Sequence, residues 1–489
     1  MKKIIIEVGI FFIQATLVCD GKITELYVED RSAQSMVGNI YKGKVTNVLP
    51  GMQSIFVDVG NKKDVFVYVG DFQKVPDFLV EEYGIESPQQ APLVDIKKLF
   101  RIGNQIIIQI MKDPIGTKGA RGTPHLTLPG HYLVLMPQDC HVGISRRVED
   151  EKERNKLKNT IVNCNKENYG LIVRTAASYK TPEELEREYS YLIHLWQKIC
   201  RKMEKKGLPN LIHREPELPL RVIRDFYDRS IDEIIINHEG FHKEIEEFIS
   251  FIDPSGGVKL SLYDEAKAGK PLFEEYGLET ELSNSLQRRI DLKNGSYLVL
   301  EHTEALTAVD VNTGSFVGKT NLEETVFAVN KEAALEISRQ IRLRDIGGII
   351  IIDFIDMKEH HHQDEILRIL NEGFQNDKSR VCIKGITDFG LVEMTRKKVK
   401  NSLLDTLTEP CHFCSGSGRA PASKKIADKI YSFLKSKKHG LDQDKLIVHP
   451  VIYDFIQKNK LLKDFDSATG HQLTLDKDPG LRIDEFEAI

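Results

Sequence analysis

Two aspartates and an asparagine have the spacing most suggestive of chemistry: Asp310 and Asn312 within LTAVDVNTG, and Asp353 within IGGIIIIDFIDM. Residues i and i+2 of a strand share a face, so Asp310 and Asn312 point the same way if 306–311 is extended. If the run ending at Asp353 pairs beside that strand, the three side chains meet at one sheet edge. Two carboxylates and an amide form an all-oxygen set, which suits hard Mg²⁺ with most of its waters retained. The spacing fits equally well two structural aspartates at strand ends, satisfied by turn amides. Asp356, three residues on, reads as a further ligand or, preferably, as the N-cap of the next helix.

The elements that must position these residues occupy 297–357. Residues 297–301 and 306–311 are β-branched-rich runs joined by a tight polar turn. Residues 321–344 have helical periodicity, with Leu322, Val326, Val329, Ala333, Ile337 and Ile341 on one face. Thr320 with Glu323 predicts a capping-box start, and Gly347 with Gly348 a stop. The solid apolar run 349–352 predicts a strand covered on both faces. Each aspartate would then end, or nearly end, a buried strand, which is costly unless something positive faces it.

Cys411 and Cys414 form the one CxxC of the chain. A structural zinc needs four ligands. The other two come from Cys382 or a histidine, or from a second protomer giving its own pair. A redox dithiol is the alternative, disfavoured because no thioredoxin-like βαβ pattern opens here. His360, His361 and His362 fan around a helix, so they cannot all face one ion and read as a solvated face.

With 489 residues the chain should hold several domains. Its 41% hydrophobic and 29% charged residues are those of a soluble globular protein. No apolar run approaches the ~20 residues of a membrane span, and the opening MKKIIIEVGIFF is too short and strand-like for a signal peptide. Scattered cysteines suit a reducing cytosol. A net charge of −5 does not by itself announce nucleic acid. Basic clusters at 146–147, 202–206, 339–344 and 396–400 read as solvated helix faces.

Along the chain, 38–112 breaks into short alternating strands that suggest a small barrel. Phe56 and Phe66 lie there among Tyr41, Lys42, Lys44, Lys62 and Lys63. Such aromatics among cations suit base stacking and backbone tracking, though core packing is the other reading. Residues 75–97 read as a long loop on the barrel, and 117–127 as a Gly-rich basic loop. GLIVRT ends a strand on Arg174 and Thr175, a pair able to hold a phosphate by charge-assisted hydrogen bonds. A long helix over 181–206, with Pro182 in its first turn, carries Trp196 as a core residue. Residues 218–278 alternate helix and strand and would complete a sheet begun by 1–35, making the barrel an insertion. The tail, 421–489, reads as a small α/β unit.

NIYKGKV, GHYLVLMP, GISRR, GLIVRT, LTAVDVNTG, LRDIGGIIIIDFIDM, FGLVEMTRKK and CxxCSGSG follow one another in this order over nearly the whole chain. Together they resemble the ribonuclease E/G family of bacterial RNA-processing endonucleases. The length, without a long disordered tail, resembles the short members of that family. The resemblance implies a multidomain α/β (α+β) fold. A ribonuclease H-like scaffold in two parts, 1–36 and 221–285, would be interrupted by an OB-fold RNA-binding barrel at 37–125 and a 5′-phosphate sensor region at 126–220. A deoxyribonuclease I-like catalytic domain at 286–406, a zinc link at 407–419 and a small C-terminal domain at 420–489 would follow.

The resemblance also implies roles. Asp310 and Asp353 would bind catalytic Mg²⁺, with Asn312 contacting the scissile region. Phe56 and Phe66 would contact bases, and Lys112, Lys118 and Arg146 the backbone. Gly130, Val134, Arg174 and Thr175 would form a 5′-monophosphate pocket, helped by Arg380. Cys411 and Cys414 would share Zn²⁺ between protomers of a homodimer or homotetramer. The implied reaction is hydrolysis of single-stranded RNA to 5′-phosphate and 3′-hydroxyl products, in cytoplasmic rRNA and tRNA maturation and mRNA decay, with no small-molecule substrate. A non-catalytic RNA-binding or assembly protein of the same fold is the alternative. Three features depart from the family pattern: GARGTPHLT replaces a hydrophobic residue followed by paired threonines, His412 a common proline, and Val59 an occasional tyrosine.

Overall fold

The computed structural model describes residues 1–32, 35–72, 96–114, 118–145, 148, 150–204, 207, 210–316, 321–375, 377, 379–398, 401–411, 414, 416, 418–436, 445–470 and 472–488. Two compact units, 1–406 and 407–489, divide the chain. Arg146, Thr320, His412 and most of the 75–97 loop lie outside the described residues.

The isoleucine run near the N-terminus forms the strand Lys2–Val8, in the middle of a five-stranded sheet. It pairs antiparallel with Phe12–Cys19, which pairs with Lys22–Asp30. On its other side it pairs parallel with Glu233–Ile236, which pairs parallel with Lys259–Leu262. A central strand covered on both faces is apolar throughout, and Ile4, Ile5 and Ile6 are fully buried. This sheet joins residues 2–30 to residues 233–262, so the chain between is inserted into it.

The insertion begins with a closed barrel. Ile40–Leu49, Ser54–Asp58, Val65–Tyr68, Arg121–Thr123 and Gln105–Lys112 pair in that order, and the last pairs back with the first. Closure removes free edges. Ile55, Val57, Val65, Val67, Ile108 and Ile110 alternate into its core. Next comes a four-stranded sheet, Val142–Ile144, Gly170–Val173, Leu133–Met136 and Leu128–Pro129. It shares a core with the helices Glu151–Cys164 and Pro182–Met203. The second helix opens on a capping box between Thr181 and Glu184, and Trp196 packs half-buried against that core.

The third sheet of this unit has the order Arg289–Asp291, Tyr297–His302, Leu306–Asn312, Gly348–Asp353, Leu391–Arg396, Val381–Ile386. Helices Leu322–Leu343 and His360–Gly373 supply side chains to the core on its inner face. Here the expected double cover fails. Ile350 and Ile352 are fully buried, whereas Ile349 is 49% exposed. The apolar run therefore belongs to a sheet with one open face, and the aspartates stand on that face.

Local corrections follow from this packing. Asn321, not Thr320, is the N-cap residue, accepting from the Glu324 amide at 2.7 Å. Glu323 is thereby free of the capping box and accepts from the amides of Lys358 and Glu359 and from His362 Nδ1. Leu322 precedes the buried stripe and is 78% exposed. His362 is not on a solvated face: it is buried and stacks on Phe327, with ring centroids 4.1 Å apart. The basic cluster 339–344 is likewise not a solvated face, its arginines being half-buried or buried. Arg339 pairs with Glu281 at 2.7 Å, Arg342 with Glu25 at 2.5 Å, and buried Arg344 bonds Gln340 and the Gln287 carbonyl. Buried Arg396 bridges Asp345 and Asp377. These arginines join elements distant in sequence, because a guanidinium drawn out of water requires acceptors.

The second unit has helices Ser423–Ser436, Pro450–Lys458 and Leu462–Thr469 beside a sheet ordered Thr474–Lys477, Lys445–Val448, Phe486–Ala488. Among the described residues no helix is long and apolar enough to cross a membrane.

Candidate functional site

Asp310 and Asp353 are direct Cα partners across the parallel strands Leu306–Asn312 and Gly348–Asp353. Both are exposed, and Asn312 Nδ2 donates to Asp310 Oδ2 at 2.8 Å. Burial pushes the Asp353 carboxyl up, and the negative charges of Asp310 and Asp356 push it further. Such crowding of like charge is what a bound cation relieves. Among the described residues no three His, Cys, Asp or Glu side chains converge on one point. Two carboxylates with an amide would be the donor set here, and they fit Mg²⁺, which is commonly held by one or two carboxylates and keeps its waters.

The chain leaving Asp353 is held firmly. Asn330 is completely buried, donates to the Ile355 carbonyl at 2.8 Å and accepts from its amide at 3.2 Å. Asp356 is not a helix cap, because the following helix takes Glu359 as its N-cap residue. It stays exposed beside Gly390 of the next hairpin, its charge acting on Asp353.

On the barrel, Phe56 pairs with Phe66, Phe66 with Arg121, and Arg121 with Lys112. The residues flanking Phe56 and Phe66 point inward, so this row lies on the outer surface. The two rings meet edge to face, with centroids 5.9 Å apart. The row runs aromatic, aromatic, cation, cation. Lys118 is exposed just before it. Tyr41 is buried and Lys42 donates to the Met203 carbonyl, so those two are structural.

Arg174 and Thr175 follow the strand Gly170–Val173. Arg174 donates to the Gly130 carbonyl at 2.6 Å and to Asp225 at 2.8 Å. Thr175 Oγ1 lies 3.3 Å from Ser145 Oγ. Gly130 donates its own amide to the Leu133 carbonyl, and Val134 is fully buried in the strand Leu133–Met136. Beneath this turn the buried Glu188 carboxylate accepts from the amides of His131, Tyr132 and Leu133 at 2.6, 2.7 and 2.8 Å. A Cβ on Gly130 would lie 2.8 Å from the Glu188 carboxyl carbon, so glycine is required by close approach. Arg380 is not on this sheet: it lies exposed just ahead of the strand Val381–Ile386 of another one.

Known proteins resemble this chain over most of its length. The family model described as "Ribonuclease E/G family" matches residues 127–399. "Ribonuclease G" of Haemophilus influenzae is 36% identical over 478 residues, 97% of this chain and 96% of the relative. The chain belongs to the ribonuclease E/G family. "Ribonuclease G" of Escherichia coli K12 is also 36% identical, over 473 residues, covering 96% of this chain and 95% of that one. "Ribonuclease E" of H. influenzae is 33% identical over 442 residues, 90% of this chain but 46% of the relative.

The ribonuclease E/G match spans the aspartate pair and the Arg174 turn, while the barrel row and the cysteines lie outside it. Cys411 is exposed and Cys414 half-buried in the second unit, where Cys414 Sγ accepts from the Gly418 amide at 3.3 Å. Sequence reasoning missed Arg121, Glu188, Asp225 and Asn330. Only tertiary pairing distinguishes these from ordinary surface or helix residues, although the buried glutamate left a trace as a charge on the apolar face of its helix.

Proposed function

We propose that this chain is a Mg²⁺-dependent endoribonuclease that cuts single-stranded RNA to 5′-phosphate and 3′-hydroxyl ends. The in-register, like-charged pair Asp310 and Asp353 on the open sheet face carries this reading. Its relatives bear the names ribonuclease G and ribonuclease E. Asp310 and Asp353 would hold the ion and Asn312 would orient its neighbour's carboxylate and the scissile region. When bound, Mg²⁺ lowers the pKa of water and offsets charge developing on the phosphoryl oxygens. Asn330 and Glu323 keep the segment after Asp353 in place, so the two carboxylates present a fixed separation.

The barrel row supports RNA capture: Phe56 and Phe66 offer stacking surfaces, and Arg121, Lys112 and Lys118 offer charge to the backbone. Arg174 and Thr175 are read as the recognition point for a 5′ monophosphate, with Glu188 shaping the turn at Gly130. We assign the five-stranded sheet to a ribonuclease H-like scaffold and the six-stranded one to a deoxyribonuclease I-like domain. Cys411 and Cys414 would share Zn²⁺ with a second protomer. A cytoplasmic place in rRNA and tRNA maturation and mRNA decay completes the reading.

The test is cleavage of a 5′-monophosphorylated, unstructured RNA with Mg²⁺ by the parent and by Asp353→Asn. Cleavage by the parent alone, with binding retained by both, supports the assignment. Equal cleavage by both places the chemistry elsewhere. Binding without cleavage by either favours an RNA-binding or assembly protein.

A further inference from the structure

The open face that presents the aspartates carries a second group that metal binding does not use. Arg289 is the Cα partner of Val299, Val299 of Asp310, and Asp310 of Asp353. Cross-strand partners project to one side of a sheet. Arg289 therefore rises from the face of the two carboxylates, two strands from Asp310, or roughly 10 Å at the usual strand spacing.

Tyr297 occupies the next row, opposite Asn312. The Arg289 guanidinium lies over its ring, 3.8 Å from the centroid. The ring is seated against the turn that follows Asn312. Gly314 approaches so closely that a Cβ there would lie 3.2 Å from Tyr297 Cδ1, and its φ is +56°. Arg289 also bonds Asp291 at 2.9 Å, but the two side chains are 59% and 74% exposed. An exposed pair of this kind is weak, so an incoming phosphate can displace Asp291 at little cost.

A guanidinium seated over an aromatic ring is restrained there, and its N–H donors can bond two phosphate oxygens. The acidic pair beside it repels a polyanion, and a cation on the same face offsets that repulsion. We propose that Arg289, positioned by Tyr297, grips the phosphate of a nucleotide next to the scissile bond. The RNA strand then crosses the sheet past Asp310 and Asp353. This rests on the endoribonuclease reading above.

The test compares parent, Arg289→Gln, Arg289→Lys and Tyr297→Leu on a 5′-monophosphorylated, unstructured RNA. Binding is measured without Mg²⁺ across a salt series, cleavage with Mg²⁺, and melting in parallel. Arg289→Gln should raise KM about tenfold with kcat little changed, the loss expected of one charge-assisted contact. It should also flatten the log–log salt dependence of binding by about 0.7, one single-strand phosphate contact. Arg289→Lys should restore that slope without fully restoring KM, since an ammonium keeps charge but not the planar fork. Tyr297→Leu should raise KM while keeping the slope. A parental slope and KM in Arg289→Gln overturn the proposal. So does a lowered Tm with an unchanged slope, which marks the stack as a pin for the edge strand. Absence of cleavage by the parent would overturn the enzymatic reading instead, and the Mg²⁺-free slope would still report on Arg289.

Discussion

Asp310 and Asp353 stand side by side on parallel strands, so the charge on one raises the cost of charging the other. Removing one carboxylate should relieve that repulsion and abolish the ion site together. Asp310→Asn is expected to melt at or above the parental temperature in chelator, while cleavage falls about a thousandfold. Mg²⁺ should raise the Tm of the parent and not of the variant. A parental Mg²⁺ response in Asp310→Asn would remove this residue from the site.

Glu188 and His131 should pull stability in opposite directions with pH. Burial pushes Glu188 up to about 7, against the lowering effect of the three amides it accepts from. Burial holds His131 down at about 4, against the bond to the Arg224 carbonyl. A raised acid binds more protons folded than unfolded, so its contribution grows as pH falls from 7 towards its ordinary value. A depressed base is protonated first in the unfolded chain, so its contribution is lost as pH falls from 6.5 towards 4. The two largely cancel in the parent. Between pH 7 and 5, His131→Gln should gain about 2 kcal/mol and Glu188→Gln should lose about 2 kcal/mol relative to the parental trend. Denaturant melts at both pH values check this, and parallel trends in the two variants would contradict it.

Arg174 is shared between Asp225 and the Gly130 carbonyl, so a 5′ phosphate must compete for it. Arg174→Ala should cleave 5′-monophosphorylated and 5′-hydroxyl RNA equally well. Asp225→Asn should bind the monophosphorylated RNA more tightly than the parent does, while its 5′-hydroxyl affinity stays close to parental. Retained end preference in Arg174→Ala would place the sensor elsewhere.

The barrel row predicts two separable losses. Phe66→Ala should weaken RNA binding by about 1–3 kcal/mol at any salt concentration, because stacking is not ionic. Arg121→Ala should weaken it mainly at low salt, flattening the salt dependence by about 0.7. Fluorescence anisotropy over a salt series distinguishes them, and identical slopes for parent and Arg121→Ala would exclude that contact.

If Cys411 and Cys414 share zinc between protomers, the double change Cys411→Ser with Cys414→Ser should lose zinc and sediment as monomer. An unchanged oligomer without zinc would assign assembly to another surface.

The sequence by itself determined the local elements and much of the candidate chemistry. Period-2 and period-3.6 patterns marked the strand ending at Asn312, the strand ending at Asp353 and the helix between them, because those patterns depend only on which side faces the core. The order of motifs marked the family. Exposure was decided only by tertiary structure. The apolar run before Asp353 looks doubly buried, yet among the described residues nothing covers Ile349 on its outer face, so the aspartates meet solvent instead of a buried counter-ion. The arginines at 339–344 look like a solvated helix face, and partners distant in sequence, Glu25 and Glu281, draw two of them inward. Arg121 beside Phe66, Glu188 beneath Gly130 and Arg289 over Tyr297 exist only through strand register and packing. Local propensity carries no record of which distant residue will stand opposite.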